Sequence, residues 1–146
     1  MESGLVFSLP ATPAAAQKAL ERLKEAFDLV NEDKEEQAID PDLFYGNLED
    51  YPEWIGQAFE KRELVQEIEK FCEFEPGELA EWDLESWYED LVTCECWDFR
   101  VRKRRDGRHE VVYRVEQEHY GGDMSHAWIL LAAGAAGIRS LPLAKD

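Results

Sequence analysis

Between Pro13 and Leu91 apolar positions recur mainly with a helical period, and from Cys94 to Val115 with a strand period. Leu5 to Leu9 make a short apolar segment stopped by Pro10. This predicts an edge strand, because proline cannot donate to a ladder. Thr12 followed by Pro13 is a helix start, with a hydroxyl able to cap the first turn and a fixed φ that suits the first helical position. Ala16, Leu20, Leu23, Phe27 and Val30 follow at helical spacing and predict an amphipathic helix to about residue 31. Asn31 to Pro41 reads as a polar, acid-rich connection broken at Asp40-Pro41, with Phe44 and Tyr45 expected to anchor the loop beyond it.

Trp54, Ala58, Phe59, Leu64, Ile68, Phe71 and Cys72 predict a second helical region from about Pro52 to Cys72, interrupted near Lys61 where the spacing slips. After Pro76-Gly77, the positions Leu79, Trp82, Leu84, Trp87, Tyr88 and Leu91 predict a third helix. Its aromatics belong in a core, where they bury large areas.

From Cys94 the period is two. Trp97, Phe99 and Val101 alternate with Asp98, Arg100 and Arg102, and beyond Arg105-Asp106-Gly107 the positions Val111, Tyr113 and Val115 alternate with Val112, Arg114 and Glu116. A three-residue loop with Gly107 left-handed pairs Trp97 with Val115, Phe99 with Tyr113 and Val101 with Val111. A two-residue loop would instead set Trp97 against Glu116 and Phe99 against Arg114, so the first register is expected. Asp123 or Ser125 can cap a last helix through about Ala136, with Gly137 as its C-cap and Pro142 beyond. Ala127 to Leu131 leave that helix apolar nearly all round, so it belongs in the centre of the core. The expected fold is a single α+β domain over residues 1–146, a small antiparallel sheet of the N-terminal strand and the C-terminal hairpin packed with about four helices.

Charge sharpens this picture. The chain holds 33 acids and 16 bases, for a formal net charge of −17. Residues 1–92 carry 25 acids and 7 bases, whereas residues 93–146 carry 8 acids and 9 bases. Arg100 to Arg108 alone hold six bases and one acid, so an acidic helical body carries a basic finger. A field of this sign repels free nucleic acid and anionic membrane and favours a basic protein partner. Met1 to Phe7 lack the basic and apolar parts of a secretory signal, the longest apolar run is Ala127 to Ile138, and three cysteines make no disulfide framework. A cytoplasmic protein is expected.

An acidic body can simply be a solvated surface. It can also imitate DNA, which carries one charge per about 1.7 Å of axis. The candidate rows are Glu60, Glu63 and Glu67 on one helix and Glu78, Glu81, Glu85 and Glu89 on the next, the second row at i, i+3, i+7 and i+11 spacing and so expected to form one continuous acidic stripe. On the finger, Arg102, Arg104 and Arg105 are candidate partner contacts, although basic hairpin tips also protect sheets from edge pairing, and Arg102 faces Glu110 in the expected register.

Catalytic patterns are weaker. Cys94-x-Cys96 with His119 offers three metal ligands, and Cys72 or Glu118 is the only fourth, so buried free thiols and no resident metal or cofactor are expected. Asp123, Ser125 and His126 have the residue types of a hydrolytic triad, but neighbours at one helix start cannot reach triad geometry among themselves. The expectation is a protein that is not an enzyme.

Trp97-Asp98-Phe99 opening a strand, and His119-Tyr-Gly-Gly-Asp-Met-Ser-His-Ala127 leading into an Ala-rich helix, resemble plasmid-borne antirestriction proteins of the KlcA/ArdB type. The likeness covers about the last third of the chain. It implies counter-defence activity by protein contact, without catalysis. Together with the charge, it gives the expected function: an inhibitor of a CRISPR or restriction complex that binds a basic nucleic-acid-binding surface and not nucleic acid itself. An immunity protein against a nuclease toxin needs the same acidic face, and an enzyme using His119, His126 or Cys96 is the remaining alternative. Nothing in the sequence specifies a stoichiometry.

Overall fold

The computed structural model describes residues 2–39, 48–115 and 122–140. Its strands are β1 (Glu2–Ser8), β2 (Cys96–Lys103), β3 (His109–Val115) and β4 (Ala136–Ser140), and its helices are α1 (Pro13–Ile39), α2 (Glu53–Gln57), α3 (Arg62–Phe71), α4 (Leu84–Thr93) and α5 (Gly122–Ala133). The α+β class stands, with an antiparallel sheet in the order β2-β3-β1-β4.

Two expectations about the sheet are corrected. β1 is not an edge strand: it pairs with β3 from Glu2↔Arg114 to Phe7↔His109 and with β4 from Leu5↔Ser140 to Ser8↔Ala136. Pro10 lies beyond the last ladder residue, so its missing N–H interrupts nothing. The outer strand β4 is an addition to the expected sheet. Gly134, at φ +111°, ends α5 before Gly137, and the Gly134 and Ala135 N–H groups donate to the Leu131 and Leu130 carbonyls, both at 3.0 Å. That pairing closes a helix through a glycine and turns the chain back to β1.

The interruption at Lys61 is present, with a 3-10 turn over Ala58–Glu60 and a restart at Arg62. The third helix is shorter than expected. Residues 76–81 form turns, and α4 starts at Leu84 because Asp83 caps it, accepting the Ser86 N–H at 2.9 Å. That bond holds the Asp83 carboxyl below its usual range. A depressed folded pKa stabilises above the unfolded value and loses its effect as pH falls through the folded one. Asp83→Ala is therefore expected to lower stability by about 1 kcal/mol at pH 7, with the deficit shrinking below about pH 4. Equal urea midpoints for the two proteins at pH 7 would overturn this assignment.

The hairpin closes as expected. Arg104 N–H donates to the Arg108 carbonyl at 2.7 Å around Arg105-Asp106-Gly107, and Gly107 has φ +89°. Val101↔Val111 and Arg102↔Glu110 pair in the expected register. Nearer the open end the register changes. Trp97 faces Arg114 and Cys96 faces Val115, because the pairing shifts between Trp97 and Arg100. Asp98 sits at φ 57°, and Asn31 on α1 clamps the irregularity, donating to the Phe99 carbonyl at 3.0 Å and accepting its N–H at 2.9 Å. Phe99 still faces inward against Phe27 and Tyr113, but the bulge reverses the facing of the residues before it. Cys96 is buried and Trp97 is only half-buried.

α5 occupies the core as expected, touching α1, α2, α3 and α4 as well as β1 and β4. Trp128 is its anchor, stacked on Phe59 at a 4.1 Å centroid distance. The Trp87 indole N–H ties α4 to α5 through the Ser125 carbonyl at 2.9 Å. No described helix is long and apolar enough to cross a membrane.

Candidate functional site

Between Glu53 and Asp90 the chain has 13 acids and three bases. Glu60, Glu63, Glu67, Glu78, Glu81, Glu85 and Glu89 are all exposed, and none of them is in an ion pair among the described residues. Their arrangement differs from two helical rows. Glu63 and Glu67 stand one turn apart on α3, and Glu85 and Glu89 one turn apart on α4, but Glu60 lies in the 3-10 turn. Glu78 and Glu81 sit in the turns before α4, so the continuous stripe is broken at the Asp83 cap.

Two charged residues of this region are structural. Glu69 is buried and accepts the Leu79 N–H at 2.8 Å, while Arg62 donates to the Ala80 carbonyl at 2.9 Å. Together they hold the 76–81 turns against α3, and Arg62 is spent on carbonyls instead of neutralising the glutamates.

Four of the finger's six bases are in ion pairs, shared among three carboxylates. Arg102 pairs with Glu110 at 3.2 Å, Arg104 with Glu110 at 3.0 Å, Arg108 with Asp106 at 2.8 Å and Arg100 with Glu2 at 2.8 Å. Arg108 holds the Asp106 carboxyl well below its usual range. Of the three arginines expected to contact a partner, Arg105 alone is without an ion pair among the described residues, and it is exposed beside exposed Lys103.

A second constellation lies inside. α1 continues eight residues past the expected end because its last turns carry buried polar groups with partners. Asp33 accepts the Tyr51 hydroxyl at 2.6 Å and the Tyr88 hydroxyl at 3.2 Å, and Lys34 donates to the Cys94 carbonyl at 2.6 Å. Burial raises the Tyr51 pKa, and the bond to Asp33 raises it further. The Lys34 amine also reaches the Cys94 sulfur at 3.5 Å, and His126 Nε2 lies 4.0 Å from that sulfur.

The Cys94 thiol can donate to the Leu91 carbonyl at 3.0 Å. The Cys96 S–H, the His126 imidazole and the Lys34 charge instead favour its thiolate and draw its pKa down, while the same Cys96 bond and burial push Cys96 up. The cysteines are free, and Cys94 and Cys96 are buried. The expected pairing of these thiols with His119 falls outside the described residues, as do Glu118, Phe44 and Tyr45. His126 is the imidazole found beside them. Sequence spacing gave no sign of this, because the contact depends on the bulge in β2 and on α5 lying in the core. Asp123, read as a possible cap, accepts the Tyr113 hydroxyl.

No protein family, curated protein or solved structure matches the chain.

Proposed function

We propose that this is a small cytoplasmic inhibitor of a nucleic-acid-handling bacterial defence complex, of anti-CRISPR or antirestriction type, that covers a basic nucleic-acid-binding surface without catalysis. One observation carries the reading. Nine exposed glutamates between residues 60 and 89, the seven of the expected rows among them, have no ion-pair partner among the described residues, while four of the five arginines from Arg100 to Arg108 are matched with acids. Charge balanced within the fold has little left for a partner, whereas unbalanced charge on helices and braced turns is available to a Lys/Arg-lined groove. The resemblance of Trp97-Asp98-Phe99 and His119 to Ala127 to KlcA/ArdB-type proteins supports the same role.

The test is capture of partners by the tagged protein from nuclease-treated lysate of a defence-bearing host, with elution by salt. One nucleic-acid-processing complex is expected, released by salt and displaced by added DNA or RNA. Raising ionic strength from 0.1 M to 1 M shortens the screening length from about 10 Å to about 3 Å, so association should slow steeply over that range. A partner whose binding is indifferent to both salt and nucleic acid would overturn the electrostatic reading. Recovery of a single nuclease toxin would replace the defence complex with a toxin–immunity pair.

A further inference from the structure

The bulge in β2 and the central position of α5 bring two thiols and an imidazole to one point. Ligand atoms of Cys94, Cys96 and His126 lie within 4.8 Å of one another, and the residues are 8%, 2% and 0% exposed. His126 Nδ1 is buried without a hydrogen-bond partner, and Nε2 faces the Cys94 sulfur at 4.0 Å. The Phe99 and Tyr113 rings flank the imidazole with centroids at 4.6 and 4.7 Å, which restricts how it can turn. Among the described residues His126 meets a polar protein group only through Nε2, so its buried Nδ1 carries a desolvation cost.

We propose that Cys94, Cys96 and His126 form a three-ligand site for a thiophilic d10 cation, Cu+ or Zn2+. The donor set selects the class of ion: two thiolates and an imidazole suit soft or borderline cations, whereas Mg2+ and Ca2+ require oxygen ligands. The spacing fits. An ion in the plane of the three donors, about 2.3 Å from each sulfur and about 2.0 Å from nitrogen, needs a sulfur–sulfur edge of about 4.0 Å and sulfur–nitrogen edges of about 3.7 Å. The Cys94–His126 edge is 4.0 Å, and no edge has to close by more than about 1.1 Å, within reach of side-chain rotation.

Charge favours Cu+ of the two. Two thiolates with Cu+ leave one negative charge, which the Lys34 ammonium beside Cys94 balances, whereas Zn2+ at the same ligands leaves the buried group positive. Binding forms two metal–sulfur bonds and one metal–nitrogen bond, and any thiol proton displaced passes to solvent. A 220 Å³ recess lined by Asn31, Lys34, Glu35, Ala38, Trp97 and Asp98 leads from the surface to the lysine. The ion would join the end of α4, the start of β2 and the second turn of α5.

The experiment titrates the reduced full-length protein under argon, with Cu+ supplied as its acetonitrile complex against a chromophoric Cu+ chelator. Co2+ is titrated separately as a visible surrogate for Zn2+. One ion per chain is expected, with thiolate charge-transfer absorption that saturates at one equivalent and a raised melting temperature. Cys96→Ser should weaken binding at least 100-fold, and Cys72→Ser should leave it unchanged, because Cys72 is not among the clustered ligands. Native mass spectrometry of the unsubstituted protein carries the test even if Cys96→Ser fails to fold. No bound ion and no charge-transfer band with either metal would overturn the site, as would a band abolished by Cys72→Ser.

Discussion

Trp128→Ala is expected to remove about 3–5 kcal/mol of stability, a large share of the about 5–15 kcal/mol that holds a domain of this kind folded. Trp128 is fully buried and central to an aromatic cluster, stacked on Phe59 and set edge-on to Trp82 at 5.3 Å. Its indole N–H donates to the Ile55 carbonyl at 3.2 Å, tying α5 to α2. Truncation leaves a cavity that Phe59, Trp82 and α2 cannot all collapse into together, and it strands a buried carbonyl. Urea unfolding followed by far-UV circular dichroism checks it. Trp97→Ala is the comparator, since Trp97 is half-buried on the other side of the bulge and should cost much less. Trp128→Phe should fall between, keeping a ring and losing the hydrogen bond. Equal midpoints for the two alanine variants would mean that α5 is not the centre of the core.

The second large effect concerns binding. Reversing Glu63, Glu67, Glu85 and Glu89 to Lys is expected to weaken partner capture at least about 100-fold, chiefly through a slower on-rate. Each reversal adds two charges, so the four together lift the formal net charge of −17 by eight. These four are the informative choice because they stand on regular helices, exposed and outside every ion pair among the described residues. Their loss leaves no stranded partner. The fold should tolerate it, since the repulsion between carboxylates one turn apart, a few tenths of a kcal/mol per pair, is exchanged for the same repulsion between ammonium groups. Surface plasmon resonance against the captured partner, with circular dichroism as the folding control, gives the answer. Unchanged affinity in a folded variant would remove these helices from the interface. The corresponding Gln variants should lie between, because they remove attraction without adding repulsion.

Local signals were legible where a residue's role depends on its neighbours in the chain. The Thr12-Pro13 start, the break at Lys61, the loop at Gly107 and the apolar α5 each follow from a few adjacent residues, and each is present. The errors share a different cause. Val30 looks like the end of α1 because its apolar period stops there, yet Asp33 and Lys34 extend the helix by finding Tyr51, Tyr88 and Cys94 far along the chain. Leu79 and Trp82 look helical because they are apolar at the right spacing, but Glu69 and Arg62 hold that stretch as turns.

The sequence by itself determined the α+β class and the segregation of charge, since periodicity and charge are properties of the chain alone. Only the tertiary structure decided which charges stay unpaired and where the buried thiols meet an imidazole. Both depend on contacts between residues dozens of positions apart: Asn31 clamping the bulge at Phe99, and α5 carrying His126 to Cys94. A one-residue bulge turns Cys96 inward and Trp97 away, because successive strand side chains point to opposite faces.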